Sequence, residues 1–112
     1  MQARDREVLR ARAEIIKALA HPTRLFIVEE LARAESCVAD ITAKVGADMS
    51  TVSRHLSILK EAGIIQSVKR GAQVHYSLRV PCILNFFGCV EAVLRSSAAE
   101  RTKVAQAAGR RR

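Results

Sequence analysis

Two short amphipathic segments joined by a glycine constrain the fold of this chain more than any other feature of its sequence. The first begins at Cys37 with Ser36 as its expected N-cap, and the second follows Asp48, another residue type that caps helices. Apolar residues recur at helical spacing in both segments: Val38, Ile41 and Val45 in the first, and Met49, Val52, Leu56 and Leu59 in the second. Because Gly46 permits a sharp turn between them, the segments are predicted to form a helix-turn-helix unit.

The pattern on either side of this unit completes the fold prediction. Helices are predicted over residues 5–20 and 23–34, where apolar side chains again follow helical spacing. Residues 64–68 and 74–78 are predicted to be the strands of a β-hairpin, and a last helix is expected to open at Pro81. The predicted fold is therefore mainly α with a β-hairpin wing (α+β), a winged helix-turn-helix with the order α-α-α-α-β-β-α.

Positive charge is concentrated in two parts of the chain. The formal net charge is +8, yet residues 1–49 contribute none of it, because their eight basic and eight acidic side chains cancel. Residues 50–79 carry a net charge of +4, residues 80–94 carry −1 and residues 95–112 carry +5. This distribution is typical of a protein that binds a polyanion. The basic tail has an alternative interpretation, as a solvated segment that only aids solubility.

The second helix of the unit and the hairpin turn supply the candidate DNA-binding residues. The apolar stripe of that helix leaves hydroxyl side chains and one arginine facing away from the core: Ser50, Thr51, Ser53, Arg54 and Ser57. Arg54 is the best candidate for a bidentate guanine contact, whereas His55 flanks the stripe and either donates to a phosphate or packs beside the core. Lys69, Arg70 and Gln73 form the expected wing, where cations flank the minor groove or its phosphates. These residues predict binding to double-stranded DNA.

The length and composition fit a single domain with one core. Of the 112 residues, 49% are hydrophobic and 27% are charged. We expect a winged helix-turn-helix domain for DNA binding and dimerisation over residues 1–103 and a basic disordered tail over residues 104–112. No apolar run approaches the roughly 20 residues of a membrane span, and the arginine-rich start leads into no apolar signal-peptide core. We therefore expect a soluble, cytoplasmic protein with no membrane partner.

Four segments resemble the ArsR/SmtB family of winged-helix metalloregulators. Residues 49–65, MSTVSRHLSILKEAGII, are similar to the recognition helix of that family, and residues 21–24 (HPTR), 35–41 (ESCVADI) and 71–78 (GAQVHYSL) resemble its other signature segments. The segments occur in the family's order and spacing and cover roughly residues 14–95. The resemblance implies a homodimeric repressor that binds an operator and leaves it when an inducer binds.

The three cysteines are the candidate inducer ligands. Their odd number argues against a disulfide framework, so each is either a buried apolar residue or a metal or redox ligand. By resemblance, Cys37 matches the first cysteine of the Cys-Val-Cys-Asp arsenite motif, but Ala39 replaces the second. Cys82 and Cys89 flank the start of the last helix, and some arsenic-responsive members of the family carry cysteines in that helix. The resemblance and the soft thiolates together favour As(III), or Sb(III), as inducer at Cys37, Cys82 and Cys89, with no organic cofactor.

Helix geometry restricts how these thiolates share one ion. Cys82 and Cys89 are seven residues apart, which places their Cα atoms about 10 Å apart along a straight helix. Thiolates bound to one ion must approach within about 4 Å of each other. Either the helix distorts, or a dimer brings Cys82 of one protomer to Cys89 of the other, and Cys37 completes a three-sulfur site only if the helices pack suitably.

Other function classes fit the sequence less well. The zinc pattern of some family members, with Asp and His near the start of the last helix, is absent. A redox or persulfide sensor that uses Cys82 and Cys89 remains an alternative, and a winged helix that binds proteins instead of DNA is a more distant one. We expect no enzyme, because the sequence has no Gly-rich phosphate loop, Ser/His/Asp grouping or carboxylate pair.

Overall fold

The first two helices are separated by a short connection at Ala20 and His21. The computed structural model describes residues 1–110, with side chains described to residue 107. Helix α1 spans Ala3–Leu19 and helix α2 spans Pro22–Arg33. Pro22 occupies the first turn of α2, and the Nδ1 atom of His21 accepts a hydrogen bond from the Thr23 amide at 3.0 Å. His21 is therefore the N-cap of α2, one residue after Ala20 caps the end of α1.

The helix-turn-helix unit forms as predicted, with one difference at its start. Helix α3 spans Val38–Val45 and ends at Gly46, whose φ of 77° is left-handed, and helix α4 spans Met49–Glu61 with Asp48 as its N-cap. The prediction that Ser36 caps α3 is wrong: Cys37 is the N-cap residue, and its side chain makes no capping hydrogen bond. Ser36 instead joins Cys37 in a short strand, so long-range pairing takes precedence over local capping.

That short strand enlarges the predicted hairpin to a three-stranded antiparallel sheet. Strand β1 (Ser36–Cys37) pairs with β3 (Gln73–Leu78), which also pairs with β2 (Ile65–Arg70), in the spatial order β1-β3-β2. In register, Cys37 lies opposite His75, and Arg70 lies opposite Gln73 across a turn that contains Gly71 at a φ of 63°. The mainly α fold with a β-hairpin wing is confirmed, and β1 is added to the expected order.

The core of residues 1–81 lies where the helical stripes meet the base of the sheet. Its buried apolar side chains come from the first four helices, from β1 and from the start of β2 with the residue before it: Ala18, Leu19, Ile27, Val28, Leu31, Cys37, Ile41, Val52, Leu56, Leu59, Ile64 and Ile65. Leu25 and Met49, which follow the helical spacing of apolar residues in α2 and α4, are nonetheless 37% and 51% exposed. Met49 is the first residue of α4, and no turn of helix precedes it to cover its side chain. The spacing of apolar residues therefore predicts which face of a helix is buried, but it does not predict at which residue of the helix burial begins.

The residues from 82 onward form a second compact unit that consists of helix α5, Ile83–Arg110. The helix starts two residues later than Pro81, which lies in the preceding turn. Helical structure continues through 104–110, part of the segment expected to be a disordered tail, because alanine and glutamine there are good helix formers. Residues 111–112 lie outside the described residues, and the division at residue 103 stays a prediction. None of the described helices combines the length and apolar character of a membrane span.

Candidate nucleic-acid interface

Helix α4 has two chemically distinct faces. Val52, Leu56 and Leu59 are fully buried, which fixes the orientation of the helix on the body of the domain. The opposite face carries all five of the expected polar side chains in exposed positions: Ser50, Thr51, Ser53, Arg54 and Ser57. An exposed helical face with short hydroxyls and a guanidinium group has the size and donors that suit the major groove of DNA.

Asp48 organises the start of this helix. Its carboxylate accepts hydrogen bonds from the amide of Thr51 at 3.1 Å, from the hydroxyl of Thr51 at 2.7 Å, and from the hydroxyl of Ser50. The side-chain hydrogen bonds from Ser50 and Thr51, followed by the Thr51 amide, lower the pKa of Asp48 to about 2. Two of the five predicted contact residues therefore donate their hydroxyl protons within the protein, whereas no described side chain holds Arg54 in an ion pair.

His55 lies inside the domain, not on the exposed face. Its side chain is buried, its Nδ1 atom accepts a hydrogen bond from Nε of Arg24 at 3.1 Å, and its ring centroid is 4.5 Å from that of His21. Arg24 also donates to the carbonyl oxygen of Ala18 at 3.2 Å. Desolvation, with the nearby charges of His21 and Arg24, lowers the pKa of His55. Of the two roles left open by the sequence, packing beside the core agrees with this burial.

The sequence contained a signal for the placement of His55. It lies three residues after Val52 and four before Leu59, so it falls on the same helical stripe as the buried leucines. Its partner Arg24 belongs to the HPTR segment, 31 residues earlier, and no local pattern links the two side chains. Sequence reasoning therefore missed Arg24 as a residue that positions the candidate recognition helix.

The wing presents the predicted residues at its tip, but one of them is held by the protein. Lys69, Arg70 and Gln73 are all exposed. Glu35, which the sequence analysis did not single out, binds Arg70: Nε of Arg70 lies 2.6 Å from Oε1, and Nη2 donates to Oε2 at 3.2 Å. Nδ1 of His75 lies 3.5 Å from the same Oε1 atom. Glu35 and Arg70 are 35 residues apart in the sequence. Because no local sequence pattern connects residues so far apart, the sequence did not predict this ion pair.

The cysteines differ in accessibility. Cys37 is buried within β1, at 6% exposure, whereas Cys82 in the turn before α5 and Cys89 within α5 are exposed. Cys82 therefore lies outside the helix that carries Cys89, and the straight-helix spacing expected from the sequence does not apply to the whole segment between them. Among the described residues no group of three or more His, Cys, Asp or Glu side chains is arranged to hold a metal ion. All three thiols are free, and those of Cys82 and Cys89 are accessible to solvent.

Comparison with known proteins agrees with this architecture. The family described as "Bacterial regulatory protein, arsR family" matches residues 21–67, which include α2, the helix-turn-helix unit and the start of β2. The chain is 38% identical over 73 residues to the HTH-type transcriptional repressor SmtB of Mycobacterium tuberculosis, a match that covers 65% of this chain. That segment spans 54% of the repressor's length, so the chain covers about half of this relative.

Two further proteins match over most of their length. An uncharacterised HTH-type transcriptional regulator of Mycobacterium tuberculosis, Rv0081, is 31% identical over 94 residues, which are 83% of this chain and 82% of that regulator. The homodimeric winged helix-turn-helix DNA-binding domain Mb0332 of Mycobacterium bovis superposes with a TM-score of 0.75 at 27% identity, over 89% of this chain and 93% of that one. These relatives are transcriptional regulators and not enzymes. Sequence, fold and exposed surface therefore agree that this chain belongs to the ArsR family of bacterial regulatory proteins.

Proposed function

We propose that this chain is a homodimeric DNA-binding transcriptional repressor that As(III), or Sb(III), releases from its operator by binding to cysteine thiolates. The observation that carries the DNA-binding part is the exposed polar face of α4, with Arg54 at its centre, in the same compact unit as a wing that bears Lys69 and Arg70. A helix of this kind enters the major groove, and a basic hairpin beside it reaches the adjacent phosphates or minor groove.

The dimer is supported by apolar surface on α1 and on α5, each considered by itself. On α1 the large apolar side chains Val8, Leu9 and Ile16 are 44–50% exposed, and on α5 Phe86, Val90 and Leu94 are 41–57% exposed. Apolar stripes of this length are uncommon on a monomer and are typical of surfaces that pair. The solved Mb0332 domain is described as homodimeric, which supports the same assembly for this chain.

The inducer proposal rests on the free thiols of Cys82 and Cys89. Both are exposed, and soft thiolates bind trivalent arsenic and antimony well. Each thiol that binds arsenous acid replaces one hydroxyl group and releases one water molecule, so no oxidant is needed. Cys82 lies in the turn before α5 and Cys89 lies within α5, seven residues later. A straight helix of that length would place the two Cα atoms about 10 Å apart, so we favour a site that joins Cys82 of one protomer to Cys89 of its partner.

Cys37 has a conditional place in this proposal. Its thiol is buried, at 6% exposure, so binding an ion there requires the side chains that cover it to move. The proposed ligand set remains Cys37, Cys82 and Cys89, with Cys37 as the third sulfur only if its thiol becomes accessible and the helices pack suitably. A repressor acts on chromosomal DNA, so a cytoplasmic location belongs to the same proposal.

A redox or persulfide sensor is the second candidate function, because exposed thiols at Cys82 and Cys89 also react with oxidants. One experiment separates the two. An operator duplex, selected from a random pool by the wild-type protein and labelled with a fluorophore, is titrated to saturation at fixed salt. The complex is then challenged separately with arsenite, zinc, cadmium and peroxide.

The expected result is release by arsenite under reducing conditions. Release by peroxide alone would favour the redox sensor, and release by zinc alone would contradict a thiolate site for a soft ion. If no duplex is selected, and replacement of Lys69 and Arg70 by alanine leaves the regulatory activity intact, the winged helix serves protein recognition instead.

A further inference from the structure

The two cations at the tip of the wing are in different electrostatic situations. The guanidinium of Arg70 lies against the carboxylate of Glu35 through two atoms, Nε at 2.6 Å and Nη2 at 3.2 Å. Among the described residues no carboxylate lies within 4 Å of the Lys69 ammonium. The carboxylate offsets part of the charge of the Arg70 guanidinium, so Lys69 is the more available of the two cations at this tip.

Glu35 is itself fixed to the body of the domain. It follows the end of α2 and directly precedes β1, whose two residues are buried and paired with Tyr76 and His75 of β3. Nδ1 of His75 lies 3.5 Å from Oε1 of Glu35. The carboxylate therefore has a defined position beside the sheet, and the long Arg70 side chain is drawn back toward it from the tip.

The pair is accessible, which lets a phosphate compete for the arginine. The side chain of Arg70 is 61% exposed and that of Glu35 is 34% exposed. Exposed ion pairs are weak in water because solvent screens them. We propose that Glu35 is a positioning residue of the wing that withholds Arg70 from DNA phosphates in loose, non-specific complexes, and so limits the purely electrostatic affinity of the repressor.

This inference rests on the proposed DNA-binding function and predicts a measurable change in salt dependence. Each phosphate that a protein cation neutralises adds about 0.9 to the magnitude of the slope of log K against log salt concentration. If Glu35→Gln releases Arg70 to one more phosphate, the slope on random-sequence DNA steepens by about 0.9. Between 50 and 200 mM salt, that change corresponds to a further loss of affinity of about 3.5-fold relative to the wild type.

The test uses the full chain and a fluorescent random-sequence duplex, with binding followed by anisotropy over this range of salt. Glu35→Gln keeps an oxygen that can accept from Arg70 but removes the charge, and Glu35→Ala removes both; we expect a steeper slope from each. The matched control is Glu29→Gln, which makes the same change in net charge on the exposed surface of α2 and is expected to keep the wild-type slope. Circular dichroism of each variant checks that it is folded.

A second comparison identifies Arg70 as the released group. In an Arg70→Ala background, Glu35→Gln is expected to leave the slope unchanged, because no withheld cation remains. The inference is overturned if Glu35→Gln and Glu35→Ala keep the wild-type slope, or if the steepening is the same in Glu29→Gln or persists without Arg70. If the wild-type protein binds no duplex, the proposed function and this inference are overturned together. If Lys69→Ala flattens the slope but Glu35→Gln leaves it unchanged, the inference alone is overturned.

Discussion

At the scale of single residues, Arg54 and Lys69 are expected to do different work on DNA. Arg54 lies on the exposed face of α4, where a planar guanidinium can donate to both acceptors of guanine in the major groove. Arg54→Ala should cost about 1–3 kcal/mol at one base pair in each half-site of the selected operator, with little change on random DNA. Anisotropy titrations on the operator, on its single-base variants and on a random duplex measure this difference.

Lys69→Ala is the matched comparison for that prediction. We propose that Lys69 contacts phosphates, so its loss should weaken binding to operator and random DNA alike and flatten the salt slope by about one unit. Equal losses on specific and random DNA for Arg54→Ala would mean that Arg54 also contacts only the backbone. The assignment of a base-reading role to α4 would then be wrong at this position.

His55 couples the stability of the domain to pH. Desolvation, with the positive charges of His21, Arg24 and Arg54 nearby, holds its pKa below the ordinary value of 6.5 in the folded state. The unfolded chain therefore binds this proton first as pH falls, and the free energy of unfolding decreases from pH 6.5 down to the lower folded pKa. Above pH 6.5 the histidine is neutral in both states and the stabilisation is complete.

Urea unfolding at about pH 7.5 and about pH 5 measures this effect. The urea midpoint of the wild type should be lower at about pH 5 than at about pH 7.5, and this decrease should be smaller in His55→Leu. The variant should be less stable than the wild type at both pH values, because Nε of Arg24 loses its acceptor. His75→Gln serves as the control and should retain the contribution of His55. An unchanged pH dependence in His55→Leu would assign the effect to other groups.

At the scale of elements, Gly63 joins the candidate recognition helix to the wing. It follows the C-cap of α4 with a φ of 80°, and a Cβ atom there would lie 3.3 Å from Nη1 of Arg79. Gly63→Ala should therefore lower the free energy of unfolding by about 1–2 kcal/mol, the cost of a left-handed alanine, with a further loss if Arg79 must move. Its guanidinium donates to the Gly63 carbonyl oxygen at 3.1 Å, which restricts that movement.

Replacement of Gly88 by alanine is expected to raise the stability of the protein, whereas replacement of Gly63 is expected to lower it. It lies within α5, and a Cβ atom there would meet nothing within 4 Å. Gly88→Ala should raise the stability by up to about 1 kcal/mol, because alanine is the better helix former. Denaturant unfolding of the two variants compares them directly, and a Gly63→Ala protein as stable as the wild type would contradict the strain assigned to this junction.

The sequence predicts some elements of the fold and not others. Helix α4, its Asp48 cap, its Gly63 terminator and its exposed polar face all follow from local chemistry and period, and the structure has each of them. Strand β1 was missed because its two residues pair with a strand nearly 40 positions away, as the register of Ser36 with Tyr76 specifies. A local pattern cannot encode which distant backbone groups are available.

The same distinction between local and long-range features applies to the residues of the candidate site. The positions of the exposed hydroxyls and of Arg54 on α4 were predictable because burial of one helical stripe determines the opposite face. The pairs Arg24–His55 and Glu35–Arg70 were not predictable, because each joins side chains more than 30 residues apart in the chain. Non-local pairs of this kind require the folded backbone to bring the partners within hydrogen-bond distance.

At the scale of the whole molecule, sensing and DNA binding are assigned to different compact units. The candidate DNA contacts on α4 and the wing belong to residues 1–81, whereas Cys82 and Cys89 belong to the unit that contains α5. Ligation of those thiols can then change DNA affinity only by favouring a dimer geometry in which the two recognition helices no longer match successive major grooves. Coupling between two such sites is usually about 1–3 kcal/mol, or 5- to 150-fold in affinity.

This separation predicts that the two functions can be removed independently. Cys82→Ser and Cys89→Ser should each keep the operator affinity of the wild type, because serine is nearly the same size and neither side chain is buried. Each should abolish release by arsenite, since a hydroxyl is a hard ligand that does not replace a thiolate on a soft ion. The measurement is operator anisotropy as a function of arsenite concentration, under reducing conditions and at fixed salt.

Cys37→Ser reports how many protein sulfurs the site has. With three sulfurs, this variant should also lose release, and with two it should release DNA at an unchanged arsenite concentration, because its buried position in β1 keeps it away from the ion. Its thermal stability must be measured alongside, since a serine hydroxyl in that position lacks the partner that a buried polar group needs. Arsenite release that survives in the Cys82→Ser/Cys89→Ser double variant would eliminate the last-helix site, and with it any sensing route through the geometry of the dimer.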